Sequence, residues 1–341
     1  MALAAHGGWL LLPRLSDTTA QGVRWLAATW INSILAALLL AVPFLILVLV
    51  LRLMRAPHAR RSAAGATYAA LCLAAGVIVG SVSVSDFIVR REDVVLEDLP
   101  PAFDGLRIAN LADVHVGRFI DVRELTRAVD AMNAAEVDLV VVSGDLIDDL
   151  SQFEPTLAAL ERSRARHGVV AVLGNHEKMG DFAAVLAGYG HHQGRIRLLI
   201  DDSMVLDHNG APLRVVGVDY PMDAGGGHML PRPQQDARMS ESATKAFAAV
   251  RAAETVLCIS HHPDFFPFAA QHGARLTLAG HTHGGQVKLF GRPVIVAYDH
   301  MQGRYRLGKA QLDVSAGFGH WLPLRIGVPR ELVIVTLRAA A

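Results

Sequence analysis

Residues 137–145 read Val-Asp-Leu-Val-Val-Val-Ser-Gly-Asp, and residues 169–177 read Val-Val-Ala-Val-Leu-Gly-Asn-His-Glu. Each is a short apolar, β-branched run that stops at a glycine and then delivers a polar side chain able to chelate a divalent cation. Leu106–Leu111 also reads as a strand and runs into Asp113-Val114-His115. Val122–Ala135, between Leu106–Leu111 and Val137–Ser143, carries the spacing of an amphipathic helix, and a second helix is expected near Thr156–Arg166. Strand–helix–strand repetition predicts an α/β layered domain.

Working outward toward the C-terminus, Leu213–Val218, Val256–Ser260, Leu276–Ala279, Val294–Ala297 and Leu332–Leu337 read as further strands with fewer helices between them. A second sheet packed on the first is the economical arrangement. The Gly- and Pro-rich stretch Pro221–Pro233 is expected to be a long surface loop.

Toward the N-terminus the character of the chain changes. Of 341 residues, 52% are hydrophobic and mean hydropathy is +0.32, while 19% are charged. The apolar excess sits in two uncharged runs, residues 26–51 and 62–85. Each is long enough to cross a hydrocarbon core ~30 Å thick. The first is too long and too far from the start for the ~7–15-residue apolar core of a signal peptide. Pro43 is tolerated in a membrane helix, and Gly65, Gly76 and Gly80 suit close helix packing. The expected division is therefore a membrane anchor over 1–90 and a catalytic domain over 91–341.

Residues 1–90 hold seven Arg, no Lys and two acids, whereas the remainder holds 25 Lys+Arg against 30 Asp+Glu. The formal net charge of zero is a cancellation between unlike parts. No stretch of the larger part is basic enough for nucleic acid, so no nucleic-acid partner is expected. Arg52, Arg55, Arg60 and Arg61 cluster between the two runs. The positive-inside bias keeps such a loop cytoplasmic and puts the domain that follows on the extracytoplasmic side of the membrane. The two cysteines, Cys72 and Cys258, are not expected to pair.

The candidate ligands recur where strands end. Asp113 and His115 are two apart, so in extended backbone they share one side. Gly144 allows an abrupt turn that presents Asp145, whose two oxygens can bridge two cations. Asn175 and His176 follow the third strand, His261 and His262 a later one, and His281 and His283 another. A nucleotide-binding alternative fails because no Gly-x-x-x-x-Gly-Lys-Ser/Thr loop occurs. Mixed Asp, Asn and His donors without thiolate fit Mn²⁺, Fe or Zn²⁺.

In order, D-x-H, G-D, G-N-H-E, H and G-H-x-H resemble the calcineurin-like metallophosphoesterase superfamily over residues 104–338, and flanking text resembles its YkuE/YaeI-type bacterial membrane-associated branch. The resemblance implies a four-layer αββα sandwich preceded by two transmembrane helices. It implies a first metal on Asp113, His115, Asp145 and His283, and a second on Asp145, Asn175, His261 and His281. His261 is preferred to His262 because it stands directly at the strand end. Attack by a metal-bridging hydroxide would need no protein nucleophile, and His176 would stabilise or protonate the leaving oxygen. His262, Arg325 and His320 are candidate substrate contacts. His320-Trp321 is one local departure from the branch, where smaller residues are expected.

Two spans near the active centre, and branch members that act on envelope lipids, make a lipid-linked phosphodiester or pyrophosphate the expected substrate. A soluble nucleotide is the alternative. Apolar residues at the pocket mouth, from Pro221–Pro233 or His320–Leu324, would favour lipid, and an Arg- and aromatic-lined cleft would favour nucleotide. A catalytically silent receptor is disfavoured because all eight positions are intact.

Overall fold

The computed structural model describes residues 17–83, 85–192, 194–223, 229–251, 254–320 and 322–340. The chain divides into two units, one of residues 1–86 with 322–327 and one of 87–321 with 328–341.

The smaller unit is a helix pair, α1 (Asp17–Leu53) and α2 (His58–Ser83), both long and apolar enough to cross a membrane. α1 runs unbroken through Pro43 and begins well before the uncharged run. The helices approach so closely that a Cβ on Gly76 would lie 1.9 Å from Ser33 Oγ, and one on Gly80 would lie 2.7 Å from Thr29 N. Glycines four apart therefore set this contact, as expected, whereas Gly65 faces open space. Tyr68 donates to Ala37 O at 2.6 Å and stacks on Phe44. Loop 322–327 joins this unit, with Asn32 Nδ2 donating to Pro323 O (2.7 Å) and Arg325 N donating to Ser83 Oγ (2.8 Å).

The larger unit stacks two six-stranded sheets between helices. The first sheet has the order β1 (Ile88–Leu96), β14 (Glu331–Ala339), β2 (Arg107–Leu111), β3 (Leu139–Ser143), β4 (Val169–Val172), β5 (Ile196–Leu198). The second runs β12 (Gly303–Leu307), β13 (Ala310–Val314), β9 (Leu276–Ala279), β8 (Thr255–Ile259), β7 (Ala211–Gly217), β6 (Asp202–His208). Successive residues of a strand face opposite ways, and here both ways are apolar. Val140 and Val142 pack under α3 (Val122–Ala134) and α4 (Phe153–Leu160), while Leu139 and Val141 face Leu257, Ile259 and Leu278 of the other sheet. Two helices, α5 (Asn175–Met179) and α6 (Phe182–His191), follow β4, and on the far side Val216, Val256 and Cys258 pack under α7 (Arg232–Ala246) and α8 (Phe266–Gln271). The result is the expected four-layer αββα sandwich. Each such fully buried Val or Leu contributes roughly 1.5–3 kcal/mol.

α3 shows how directly pattern becomes packing. Asp121 caps it by accepting from Arg123 N and Glu124 N, and Leu125, Ala128, Val129 and Met132 bury one stripe.

Four expectations need correcting. The division falls near residue 86, because β1 begins at Ile88 and pairs in parallel with β14 across the expected boundary at 90. α4 starts and stops earlier than Thr156–Arg166, since Ser163 Oγ takes the Ala165 N–H and turns the chain. Val294–Ala297 is not a strand: after the two-residue β11 (Arg292–Pro293) it runs exposed and without regular structure. Pro221–Pro233 is a loop only to Pro231, where α7 begins, and its residues 224–228 lie outside the described residues, as does Trp321.

Candidate metal centre

β2, β3 and β4 run parallel in one sheet, and β7, β8 and β9 run parallel in the other. Their carboxyl ends carry the polar side chains, the usual place for a site in such sheets. Asp113, His115 and His283 form one cluster, Asp145, His261 and His281 a second, and His115, Asp148 and His176 a third, each with ligand atoms within 4.8 Å of one another. Asp145 Oδ2 stands 3.2 Å from His261 Nε2 and 3.7 Å from His115 Nε2, between the first two clusters.

Backbone geometry is unusual here. Asp113, His115, Asp145, His281 and His283 all have positive φ, at 52°, 52°, 52°, 76° and 48°. Left-handed residues other than glycine are uncommon, and five in one site are held only because the surroundings over-determine them. Glu177 is one such restraint. Its buried carboxylate accepts from Gly174 N (2.7 Å), Asp145 N (3.0 Å), Leu146 N (2.6 Å) and Ile147 N (3.2 Å), tying the loops after β3 and β4 together. Gly174 is required for that approach, since a Cβ there would lie 2.0 Å from Asp145 Oδ1.

The imidazoles are oriented from behind. His261 donates Nδ1–H to Ser143 O (2.7 Å), which turns Nε2 toward Asp145. His115 Nδ1 meets Asp148 Oδ1 at 2.9 Å, turning its Nε2 inward. His281 is kept neutral by burial and by His261, and its Nε2 lies 2.6 Å from Tyr298 Oη and 3.1 Å from Tyr220 Oη. With the Nε2 proton given to these oxygens, Nδ1 keeps its lone pair.

These residues fit a metal by the chemistry of their donors. His115 Nε2 faces His283 Nε2 at 3.2 Å, and His261 Nε2 faces His281 Nδ1 at 3.1 Å. Two imidazole lone pairs at such range need a proton or a cation between them. Asn175 Oδ1 is buried without a hydrogen-bond partner, the cost of which a cation would relieve. Burial alone would lower the pKa of His261, but Asp145 and Asp113 hold it up at about 9, so a proton sits where a cation would displace it. Burial, then Asp145, raises Asp113, whose two oxygens accept the His281 N–H at 2.9 and 3.0 Å.

His176 is half-buried beside this cluster. Its N–H donates to Asp145 Oδ1 (2.9 Å) and its Nδ1 lies 2.7 Å from Asp148 Oδ1. Burial opposes its charge, yet Asp145 and Asp148 lift its pKa to about 9. Asp148 itself is held at about 2 by His115 and His176 against the effect of burial. Sequence reasoning missed both Asp148 and the clamp by Glu177. The available signals were a carboxylate three residues after Asp145 and an acid directly after Asn175-His176.

A cleft of about 350 Å³ opens on Asp145, Asn175, His176, His281 and His283. Its other side is Ile295, Ala297, Tyr298 and Met301, and no Lys or Arg lines it among the described residues. Of the candidate substrate contacts, His262 and His320 are not among the residues that line the cleft. His262 is buried behind His281, its Nδ1 accepting from Asp264 N. His320 is buried against Phe119, and Arg325 belongs to the helical unit. The apolar side of the cleft also comes from a different segment than Pro221–Pro233 or His320–Leu324.

A family model for calcineurin-like phosphoesterases matches residues 106–285, more than half of the chain. Among relatives, the uncharacterized metallophosphoesterase YkuE of Bacillus subtilis is 25% identical over 71% of this chain and 82% of its own length. An uncharacterized metallophosphoesterase of Helicobacter pylori strain J99 is 28% identical over 68% of this chain, and the match spans 60% of that relative. Phosphodiesterase YaeI of Escherichia coli is 25% identical over 68% of this chain and 82% of its own length.

Proposed function

The chain belongs to the calcineurin-like phosphoesterase family, and from that premise we propose that it hydrolyses a phosphodiester or pyrophosphate bond in a lipid-linked substrate. The observation that carries the substrate class is the unlike lining of the cleft. Ile295, Ala297 and Met301 offer apolar surface beside the polar centre, and no described Lys or Arg waits for the further phosphates of a nucleotide. The name of the Escherichia coli relative supports the diester.

In this proposal Asp113, His115, Asp145 and His283 hold one divalent ion, and Asp145, Asn175, His261 and His281 hold a second. Bound there, Mn²⁺, Fe or Zn²⁺ ions supply a water of lowered pKa and charge to match the phosphoryl oxygens. His176, pinned through Nδ1 on Asp148, presents Nε2 to the cleft and gives its proton to the leaving oxygen. Asp148 keeps that imidazole charged, and Glu177 keeps Asp145 and Asn175 in register. The helix pair anchors the domain in a bacterial cell membrane, with the Arg-rich turn between α1 and α2 cytoplasmic and the catalytic unit outside.

The test uses the full chain in lipid vesicles, because a start at residue 91 would cut β1. Metal-stripped protein is assayed on bis-p-nitrophenyl phosphate and p-nitrophenyl phosphate with added Mn²⁺, beside Asn175→Ala and His176→Ala. Diester cleavage that needs Mn²⁺ and is lost in both variants is expected, with lipid pyrophosphates competing better than nucleotides. A folded, metal-loaded chain that cleaves neither ester would overturn the proposal.

A further inference from the structure

The cleft continues into a hairpin that the proposed chemistry does not use. β10 (Lys288–Leu289) and β11 pair Lys288 with Pro293 and Leu289 with Arg292, leaving Phe290 and Gly291 as the two-residue turn. Both turn residues have positive φ, 51° and 78°. A turn of that type favours Asn or Asp before glycine, and a bulky aromatic pays a steric penalty there. The ring gains nothing from burial in return: Phe290 is 104% exposed. Leu289, Val294, Ile295 and Val296 are also exposed, and Ile295 is a wall of the cleft. A contiguous apolar ridge therefore leads from the active site to a strained aromatic tip. Lys288 and Arg292 flank that tip, with no acid between residues 284 and 298.

We propose that the hairpin 287–296 dips into the headgroup layer of the membrane that α1 and α2 cross, so that the cleft meets its substrate at the lipid surface. The occupant is a bilayer because the flanking charges are basic, which suits anionic headgroups, and because the chain carries its own spans. Residues 84–87, which join α2 to β1, span at most roughly 15–20 Å. An aromatic tip with basic neighbours matches interfacial insertion by roughly 5–10 Å. This inference rests on the proposed membrane anchoring, and it is independent of whether the cleft is active.

The test places a nitroxide label on Phe290→Cys in the full chain, in vesicles of phosphatidylcholine with a minor share of phosphatidylglycerol. Cys72 and Cys258 are both buried and do not compete for the label. Lys245→Cys, on the exposed face of α7, serves as the solvent reference. Collisions with oxygen are expected to exceed those with a water-soluble nickel chelate several-fold more at 290 than at 245. Equal behaviour at the two positions overturns the proposal. So does shielding of 290 from both reagents with label–label broadening, which assigns the ridge to a second copy. Thermal unfolding confirms that the labelled chains are folded. Turnover of bis-p-nitrophenyl phosphate by the same samples is read separately. Lipid contact without turnover defeats the phosphoesterase proposal and leaves the hairpin standing, and turnover with a water-exposed label does the reverse.

Discussion

On one side of the cleft, Asp145 and Asn175 are buried, Glu177 and Asp148 brace them and His176, and much of the backbone is left-handed. On the other side, Ile295 and Val296 are 68% and 69% exposed in a segment without regular structure. The first side spends fold stability to fix donor atoms within tenths of an ångström, as metal chemistry demands. The second presents apolar surface that has no structural reason to be exposed. If the proposed function holds, reaction and substrate are specified by separate parts of the chain, and each can be damaged without the other.

The largest effect should come from the polar side. Asp145→Ala removes a carboxylate that stands 3.2 Å from His261 Nε2 and 3.7 Å from His115 Nε2, and is expected to cost on the order of 10³-fold or more in kcat on soluble and lipid esters alike. If the lipid ester alone suffered, the two sides would not be separable.

Next, His176→Gln should lower kcat by roughly 10²–10⁴-fold with little change in KM. Its titration sharpens the point. In the metal-free protein the ring is held charged up to about pH 9, because Asp145 and Asp148 outweigh burial. Stability from that pairing is complete below the ordinary histidine pKa and is lost as pH rises through about 9. Asp148→Asn should move the His176 midpoint, followed by NMR, back toward neutrality. An unmoved midpoint would show that Asp148 is not its partner.

A smaller, selective effect is expected from Ile295→Ser with Met301→Ser. Each lost apolar contact should reduce kcat/KM for a lipid-linked substrate by roughly 10-fold, leaving bis-p-nitrophenyl phosphate turnover within a factor of about two. An equal loss on both substrates would merge the two sides.

The same contrast explains what could be read from sequence. That Asp113, His115, Asp145, Asn175, His261, His281 and His283 stand at the same end of the strands was legible because each lies within four residues of the end of an apolar strand. β1 was not, since Arg90, Arg91, Glu92 and Asp93 interrupt it; it is an edge strand on which Arg91 and Asp93 face solvent, while Arg90 pairs with Asp313 and Glu331. Asp148 and Glu177 act across loops, a relation that spacing along the chain does not encode. Val294–Ala297 looked like a strand because β-branched residues at an exposed rim give the same pattern as residues in a core. His320 and Arg325 are both buried, and spacing along the chain does not say where a buried polar residue lies.

The most direct measurement is a Mn²⁺ titration of the metal-stripped full chain, followed by calorimetry and electron paramagnetic resonance. Two ions per chain with a coupled-pair signal are expected, and Asn175→Ala should leave one ion and an uncoupled signal. A folded chain that binds no Mn²⁺, or an Asn175→Ala variant that still holds the coupled pair, would contradict it.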